Sequence, residues 1–249
     1  MKIAILVSGP PRFNKDLDEF IKNINGFDSA DWFFYMCNNN NLPDKPGPDY
    51  KKIHISDSWR YCNDIEWAKN KIKSNLPNNH RVADFKFYDH EQVPIPSDSF
   101  VTKHIWRMHH HWKQVDLMRQ REEERTGHTY DMVIRARSDM GINVPIDLQK
   151  IKESGYIEVP RDNWHGAPAI CDLMGIGTSE QMKIYCDVFN HSLNYVRTGK
   201  CMYHPESLLA CHLQTNCIPY RSNSWNYVIW TTTLTRDNGV EYLDFGNWE

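Results

Sequence analysis

Short apolar runs bounded by turn residues alternate along this chain with stretches of helical periodicity, and that alternation leaves few folds open. Lys2 to Val7 carries a continuous apolar run, the mark of a strand buried on both faces. Asn14 is placed to cap a helix with Leu17, Phe20, Ile21 and Ile24 on one face, closed by Gly26. Trp32 to Met36 reads as the second strand, and Lys51 to Ile55 as a candidate third. Ser58 to Ser74 shows Trp59, Cys62, Ile65 and Ile72 at near-helical spacing, and Val82 to Tyr88 alternates as a strand does. Asp98 to Thr126 predicts a long helix with Ile105, Met108, Trp112, Val115 and Met118 on its apolar side, stopped by Gly127. Tyr130 to Arg137 is the next strand, and Tyr156 to Val159 and Ile170 to Ile176 are further candidates. Thr178 and Gln181 form a capping-box pattern for a helix to about Asn190. Pro205 suits the first position of a helix over Glu206 to Leu213. Strand then helix, repeated, predicts an α/β fold: a mainly parallel sheet flanked by helices, in a single domain.

Composition narrows the function classes. The 249 residues are 40% hydrophobic, which gives room for a sizeable core. The apolar run Ile3 to Val7, like Trp32 to Cys37, is far short of the roughly 18 residues of a membrane span. Ser8-Gly9-Pro10-Pro11-Arg12 also cuts it too early for a secretory leader. A formal charge of −3 argues against nucleic acid as the main partner, since that binding needs a basic face. Cys37, Cys62, Cys171, Cys186, Cys201, Cys211 and Cys217 are odd in number and form no CxxC pair. They read as reduced thiols, mostly small core residues, in a cytoplasmic protein. Asn38 to Asp49, rich in Asn, Pro and Gly, reads as a long loop of the kind that is often functional.

Ligands of open α/β sheets bind beyond the carboxyl ends of the strands, and two of those ends carry unusual residues. Ser8-Gly9-Pro10-Pro11-Arg12 lacks the glycine spacing of a phosphate loop, and its two prolines remove N–H donors. It is a stiff turn, either holding Arg12 at the mouth of the sheet or leaving it in solvent. In Tyr130 to Asp139, alternation puts Val133, Arg135 and Arg137 on one face, with Asp139 next in the same series. Arginines inside a strand built for burial must meet anions. Those anions are either phosphate oxygens, with Asp139 on a hard cation, or Asp139 itself in an internal ion pair.

SGPPR after the first strand, Thr-Gly before YDMVIRARSDM, then CDLMGIGTSEQM and HPESLL, resemble the R-x-R-x-D type glycosyltransferase-like family. The resemblance covers residues 1 to about 221 in patches, and VIRARSD is its most specific piece. It implies a GT-A-like (Rossmann-like) nucleotide-sugar transferase fold, with a nucleotide-binding half in 1–140 and an acceptor and catalytic half in 141–249. It further implies transfer of a sugar from a nucleotide-sugar donor to a glycan or lipid-linked acceptor. The residues it places about the diphosphate are Ser8, Gly9, Arg12, Arg135, Arg137 and His204, with Asp139 as ligand to a divalent cation, Mn²⁺ or Mg²⁺. Arg137-Ser138-Asp139 stands where GT-A enzymes carry Asp-x-Asp, so only one motif carboxylate serves a metal.

Asp172 and Glu206 are the candidate catalytic carboxylates, one to take the acceptor hydroxyl's proton and the other to bind donor hydroxyls. The plainer alternatives are a hydrogen-bonded acid inside the sheet for Asp172 and a first-turn helix acid for Glu206. His204 is a diphosphate donor, a late metal ligand or a loop histidine. His104 and His109-His110-His111 form a weak metal candidate, because consecutive histidines point about 100° apart on a helix. Glu122-Glu123-Glu124 with Arg119, Arg121 and Arg125 reads as a solvated helix end. The rival readings are a catalytically degenerate nucleotide- or glycan-binding protein of the same fold, and an α/β methyltransferase, against which the missing glycine-rich first loop counts.

Overall fold

The computed structural model describes residues 1–11, 20–38, 53–54, 65–138, 140–142, 144–160, 169–222, 227–229, 233–236 and 239–241. Seven strands form its central sheet: β1 (Ile3–Gly9), β2 (Ala30–Cys37), β3 (Arg81–Tyr88), β4 (Met132–Ala136), β5 (Ile157–Val159), β6 (Met174–Gly177) and β7 (Tyr220–Ser222). Their order is β7-β5-β6-β4-β1-β2-β3. Every pairing is parallel except those of β6, which runs antiparallel to β4 and β5.

The continuous apolar runs form the central strands because both sheet faces are covered. Ile3, Ile5 and Val7 of β1, Trp32, Phe34 and Met36 of β2, and Met132, Ile134 and Ala136 of β4 enter one core cluster. Ala4 and Leu6, Phe33 and Tyr35, and Val133 enter the other. The first cluster is roofed by α1 (Ile65–Asn75) through Ile72 and by α3 (Leu148–Ser154) through Leu148 and Ile151. Between these in the chain, α2 (Lys103–Thr126) packs Ile105, Trp112, Val115 and Met118 into the second cluster. It is joined there by α4 (Ser179–Cys186), α5 (Val188–Arg197) and α6 (Pro205–Thr215). Among the described residues no helix is long and apolar enough to cross a membrane, and no described cysteine is in a disulfide.

Several boundaries differ from the sequence reading. The helix expected over Asp98 to Thr126 starts at Lys103, because residues before Thr102 form a turn in which Asp98 pairs with Arg197. The helix expected from Thr178 to about Asn190 is two helices broken at Asp187, whose carboxylate takes Lys113 and His191. The strand expected from Ile170 begins at Met174: the Ile170 N–H donates to the Glu206 carbonyl, outside any ladder. Arg119 and Glu122 are buried rather than solvated. Arg119 meets Asp116, Glu123 and Ser179, and Glu122 takes Arg81 and Arg125. Residues 12–19, most of Lys51 to Ile55, the Ser58 to Asp64 part of the expected helix and the loop beyond Asn38 lie outside the described residues.

Candidate functional site at the carboxyl edge of the sheet

The chain leaves β1 toward β2 on one side, while β4 lies on the other. The loops after β1 and β4 therefore part at a topological switch point, where open α/β sheets bind ligands. Gly9 ends β1 at φ +107°, a left-handed value that an L side chain strains to adopt. Pro10 and Pro11 follow, and the Ser138 hydroxyl donates to the Pro10 carbonyl at 2.7 Å, tying the two loops together. Ser8 is buried beside this tie, and its Oγ has no hydrogen-bond partner among the described residues. That is the kind of orphaned polar atom that a bound ligand satisfies.

The antiparallel run of β6 brings a second segment to this edge. Met174 lies opposite Ala136, so Cys171 and Asp172, which precede β6, come up beside the end of β4. Arg135 is 1% exposed. Its guanidinium donates to the Asp172 carbonyl and lies 3.9 Å from the centre of the Trp112 ring, a geometry that stabilises a buried cation. The fit depends on Gly175, which pairs with Arg135: a Cβ there would sit 2.7 Å from Cε2 of Tyr185. Tyr185 in turn stacks on Trp112 with centroids 5.6 Å apart.

Asp172 is 7% exposed. Burial pushes its carboxyl above the usual carboxylate range, and Arg135, Arg137 and His204 pull it back toward the charged form. Burial also drags Arg135 downward, with Tyr185 and Asp172 opposing, though a guanidinium stays charged in a protein. The first turn of α6 sits alongside. His204 holds the extended conformation before Pro205, and its Nδ1 lies 2.7 Å from a Glu206 carboxylate oxygen. The Ile170 N–H to Glu206 carbonyl bond fastens this turn to the segment that carries Asp172.

The structure thus gathers Ser8, Gly9, Arg135, Arg137, Asp172, His204 and Glu206 around one edge. Arg135 lies inside this group as the charge under Asp172, while Arg137 is half-buried at the mouth. Arg12 and Asp139 lie outside the described residues.

A further cluster escaped the sequence reading. Of the α2 histidines, His109 and His111 are buried and only His104 is exposed, so the set does not share one face. His111 approaches Cys37 and His90, and the three could hold a metal ion, their ligand atoms all lying within 4.8 Å of one another. Burial, with the charges of His110, His90, Arg107 and Arg135, holds the His111 imidazole down to about 3, in its neutral form. Cys37 ends β2 and His90 follows β3, so both stand at the carboxyl edge. That shared placement was the one signal available before the fold.

Fold and site together define an α/β protein with an open, mixed seven-stranded sheet and a charged, largely buried group of side chains at its switch point. No protein-family model matches the chain, and no curated protein matches it.

Proposed function

We propose that this chain is a GT-A-like glycosyltransferase that moves a sugar from a nucleotide-sugar donor to a glycan or lipid-linked acceptor. One juxtaposition carries the reading: Arg137, the Arg135–Asp172 contact and the His204–Glu206 pair meet at the β1/β4 switch point. The order β3-β2-β1-β4 matches the nucleotide-binding half of a doubly wound sheet, which supports a donor site built from residues 1–140.

In this reading the orphaned Ser8 hydroxyl and Arg137 meet the diphosphate, and Arg12 joins them. Asp172, beside the charges of Arg135 and Arg137 that favour its ionised form, takes the proton of the acceptor hydroxyl. The hydroxyl oxygen bonds to the anomeric carbon while the carbon–oxygen bond to the diphosphate breaks, and the diphosphate leaves with the electron pair. Glu206 holds sugar hydroxyls and orients His204, which donates to the departing phosphate. Rate enhancement comes from positioning and from charge placed against the leaving group. Hard cations are bound by oxygen donors, and the described side chains at this edge are a hydroxyl, two arginines, an imidazole and two carboxylates, of which Asp172 faces the arginines' charge and Glu206 takes His204. That set suits an anion, so no step here requires Mn²⁺ or Mg²⁺ at Asp139.

The test is a thermal-shift series with UDP, GDP, CDP, CMP and S-adenosylmethionine, each with and without Mn²⁺. A ligand at 100 times its Kd stabilises by about 2.7 kcal/mol, a rise of roughly 5–10 °C for a chain of this size. One nucleoside diphosphate should give that rise, and Asp172→Asn should then abolish sugar transfer while leaving the rise. A shift with S-adenosylmethionine alone refutes the transferase reading. Nucleotide binding with no transfer to any acceptor in the wild type favours the degenerate binding protein.

A further inference from the structure

We propose that Cys37, His90 and His111 bind a zinc-class transition-metal ion at the carboxyl edge of the sheet, separate from the donor site. The three come from different elements. Cys37 is the last residue of β2, His90 opens the short 3₁₀ turn His90–Gln92 after β3, and His111 lies on α2.

The first two are held in register by Asn38. Its side-chain amide donates to Asp89 Oδ1 at 3.1 Å, its Oδ1 accepts the His90 N–H at 2.8 Å, and its own N–H donates to the Tyr88 carbonyl. Asp89 also caps the turn through the Glu91 N–H. The backbones bearing the thiol and one imidazole are therefore locked together, as a preorganised ligand pair requires.

Cys37 Sγ lies 3.8 Å from His111 Nδ1. A tetrahedral zinc ion with bonds of about 2.3 Å to sulfur and about 2.0–2.1 Å to nitrogen separates those two ligands by roughly 3.6 Å. That edge is formed already, and the His90 ligand atom, within 4.8 Å of the other two, has at most about 1.5 Å to close. His90 Nδ1 and His111 Nε2 are buried and without a hydrogen-bond partner among the described residues. The orphaned His90 nitrogen is costly in a plain core and useful in a metal site, whereas the His111 nitrogen turned to the thiol is Nδ1 and not the orphaned Nε2.

One thiol and two imidazoles select a borderline-soft ion such as Zn²⁺ over Mg²⁺ or Ca²⁺, which take oxygen donors. Three protein ligands leave a fourth position for water or a small molecule. Nearby cationic charge is already met: Arg107 forks onto both carboxylate oxygens of Glu91 at 2.8 and 2.7 Å.

The experiment uses the full chain, stripped with a chelator and titrated with Co²⁺ as a spectroscopic stand-in for Zn²⁺. One equivalent should bind with the intense visible bands of a tetrahedral site and a near-ultraviolet thiolate band, and Zn²⁺ should displace it. Cys37→Ser should remove the thiolate band. His90→Asn, in a half-buried turn, should weaken binding by about tenfold or more, since loss of an outer-shell partner alone costs that much. Absence of stoichiometric binding, or an undiminished thiolate band in Cys37→Ser, overturns the proposal. Should Cys37→Ser fail to fold, wild-type affinity in His90→Asn overturns it equally. None of these readouts uses a nucleotide, so their failure and that of the transferase reading are distinguishable.

Discussion

Replacing Arg135 by Met tests whether the buried charge pair at the switch point behaves as its geometry requires. Three things are lost. The bond from the guanidinium to the Asp172 carbonyl is charge-assisted and contributes about 1.5–3 kcal/mol. The Trp112 stack at 3.9 Å adds up to about 2 kcal/mol when desolvated. Asp172, 7% exposed, also loses its closest counter-charge. The two direct contacts together come to up to about 3.5–5 kcal/mol, and relief from desolvating the guanidinium offsets part of this. Taking the low end, Arg135→Met should be about 3 kcal/mol less stable at pH 7, a fall in Tm of roughly 6–12 °C. Asp172→Asn keeps the bond to the backbone carbonyl and should cost about 1–2 kcal/mol. In the double variant neither charge is stranded, so its loss should fall short of the sum by about 1–3 kcal/mol. Burial raises the Asp172 carboxyl, and the folded state of Arg135→Met raises it further and binds its proton more readily. The deficit should therefore be smallest below the usual carboxylate range and grow as pH rises through the elevated Asp172 pKa. Urea unfolding of all four proteins, followed by Trp fluorescence and far-ultraviolet circular dichroism, measures each quantity. Additivity within about 0.5 kcal/mol would falsify the pairing.

Two further outcomes follow from other parts of the fold. Hydrogen bonds from Arg125 and Arg81 hold the Glu122 carboxylate down, to about 2, so its contribution is full above the ordinary carboxylate range and disappears as pH falls from there toward 2. Arg125 is largely exposed, so solvent screening discounts the pair; Glu122→Gln should lower stability at pH 7 and flatten the acid limb of a stability–pH curve, whereas an unchanged limb would discard the assignment. Gly175→Ala should cost about 1–3 kcal/mol in urea melts and alter native Trp fluorescence, because its Cβ would force Tyr185 off Trp112; a neutral effect would mean the ring has room that the packing denies.

How much of this was legible in the sequence depended on whether the signal was local. Lys2 to Val7, Trp32 to Met36 and the apolar residues of Tyr130 to Arg137 announced buried strands because both faces are covered. The capping box worked for the same reason: Thr178 and Gln181 satisfy each other's N–H groups within one turn. The antiparallel course of β6 is fixed by its partners β4 and β5, which no window around Met174 contains, so Asp172 looked like a strand residue instead of the segment before one. The charged end of α2 misled because an Arg119–Asp116 pair has the same spacing in solvent as under α4, where Ser179 closes over it. His111 was judged against histidines on its own helix, while its neighbours Cys37 and His90 arrive from two strand ends.

Arg135 is costly to keep, and the fold around it is arranged to keep it. A buried charge is weak support for stability, since apolar residues of similar volume often do as well. Here the cation nevertheless shapes three other choices: a glycine at 175 so that Tyr185 can lie on the sheet, Tyr185 against Trp112, and Trp112 over the guanidinium. Adjacent residues on a helix point about 100° apart. One turn of α2 therefore aims Trp112 at the β4–β6 edge and His111 at the ends of β2 and β3. The axial position of that turn sets both the charge under Asp172 and the geometry of the Cys37–His90–His111 group. A core built only for stability has no use for that register. In the proposed transferase that register has a use, since it fixes the charge beneath Asp172 before a donor binds.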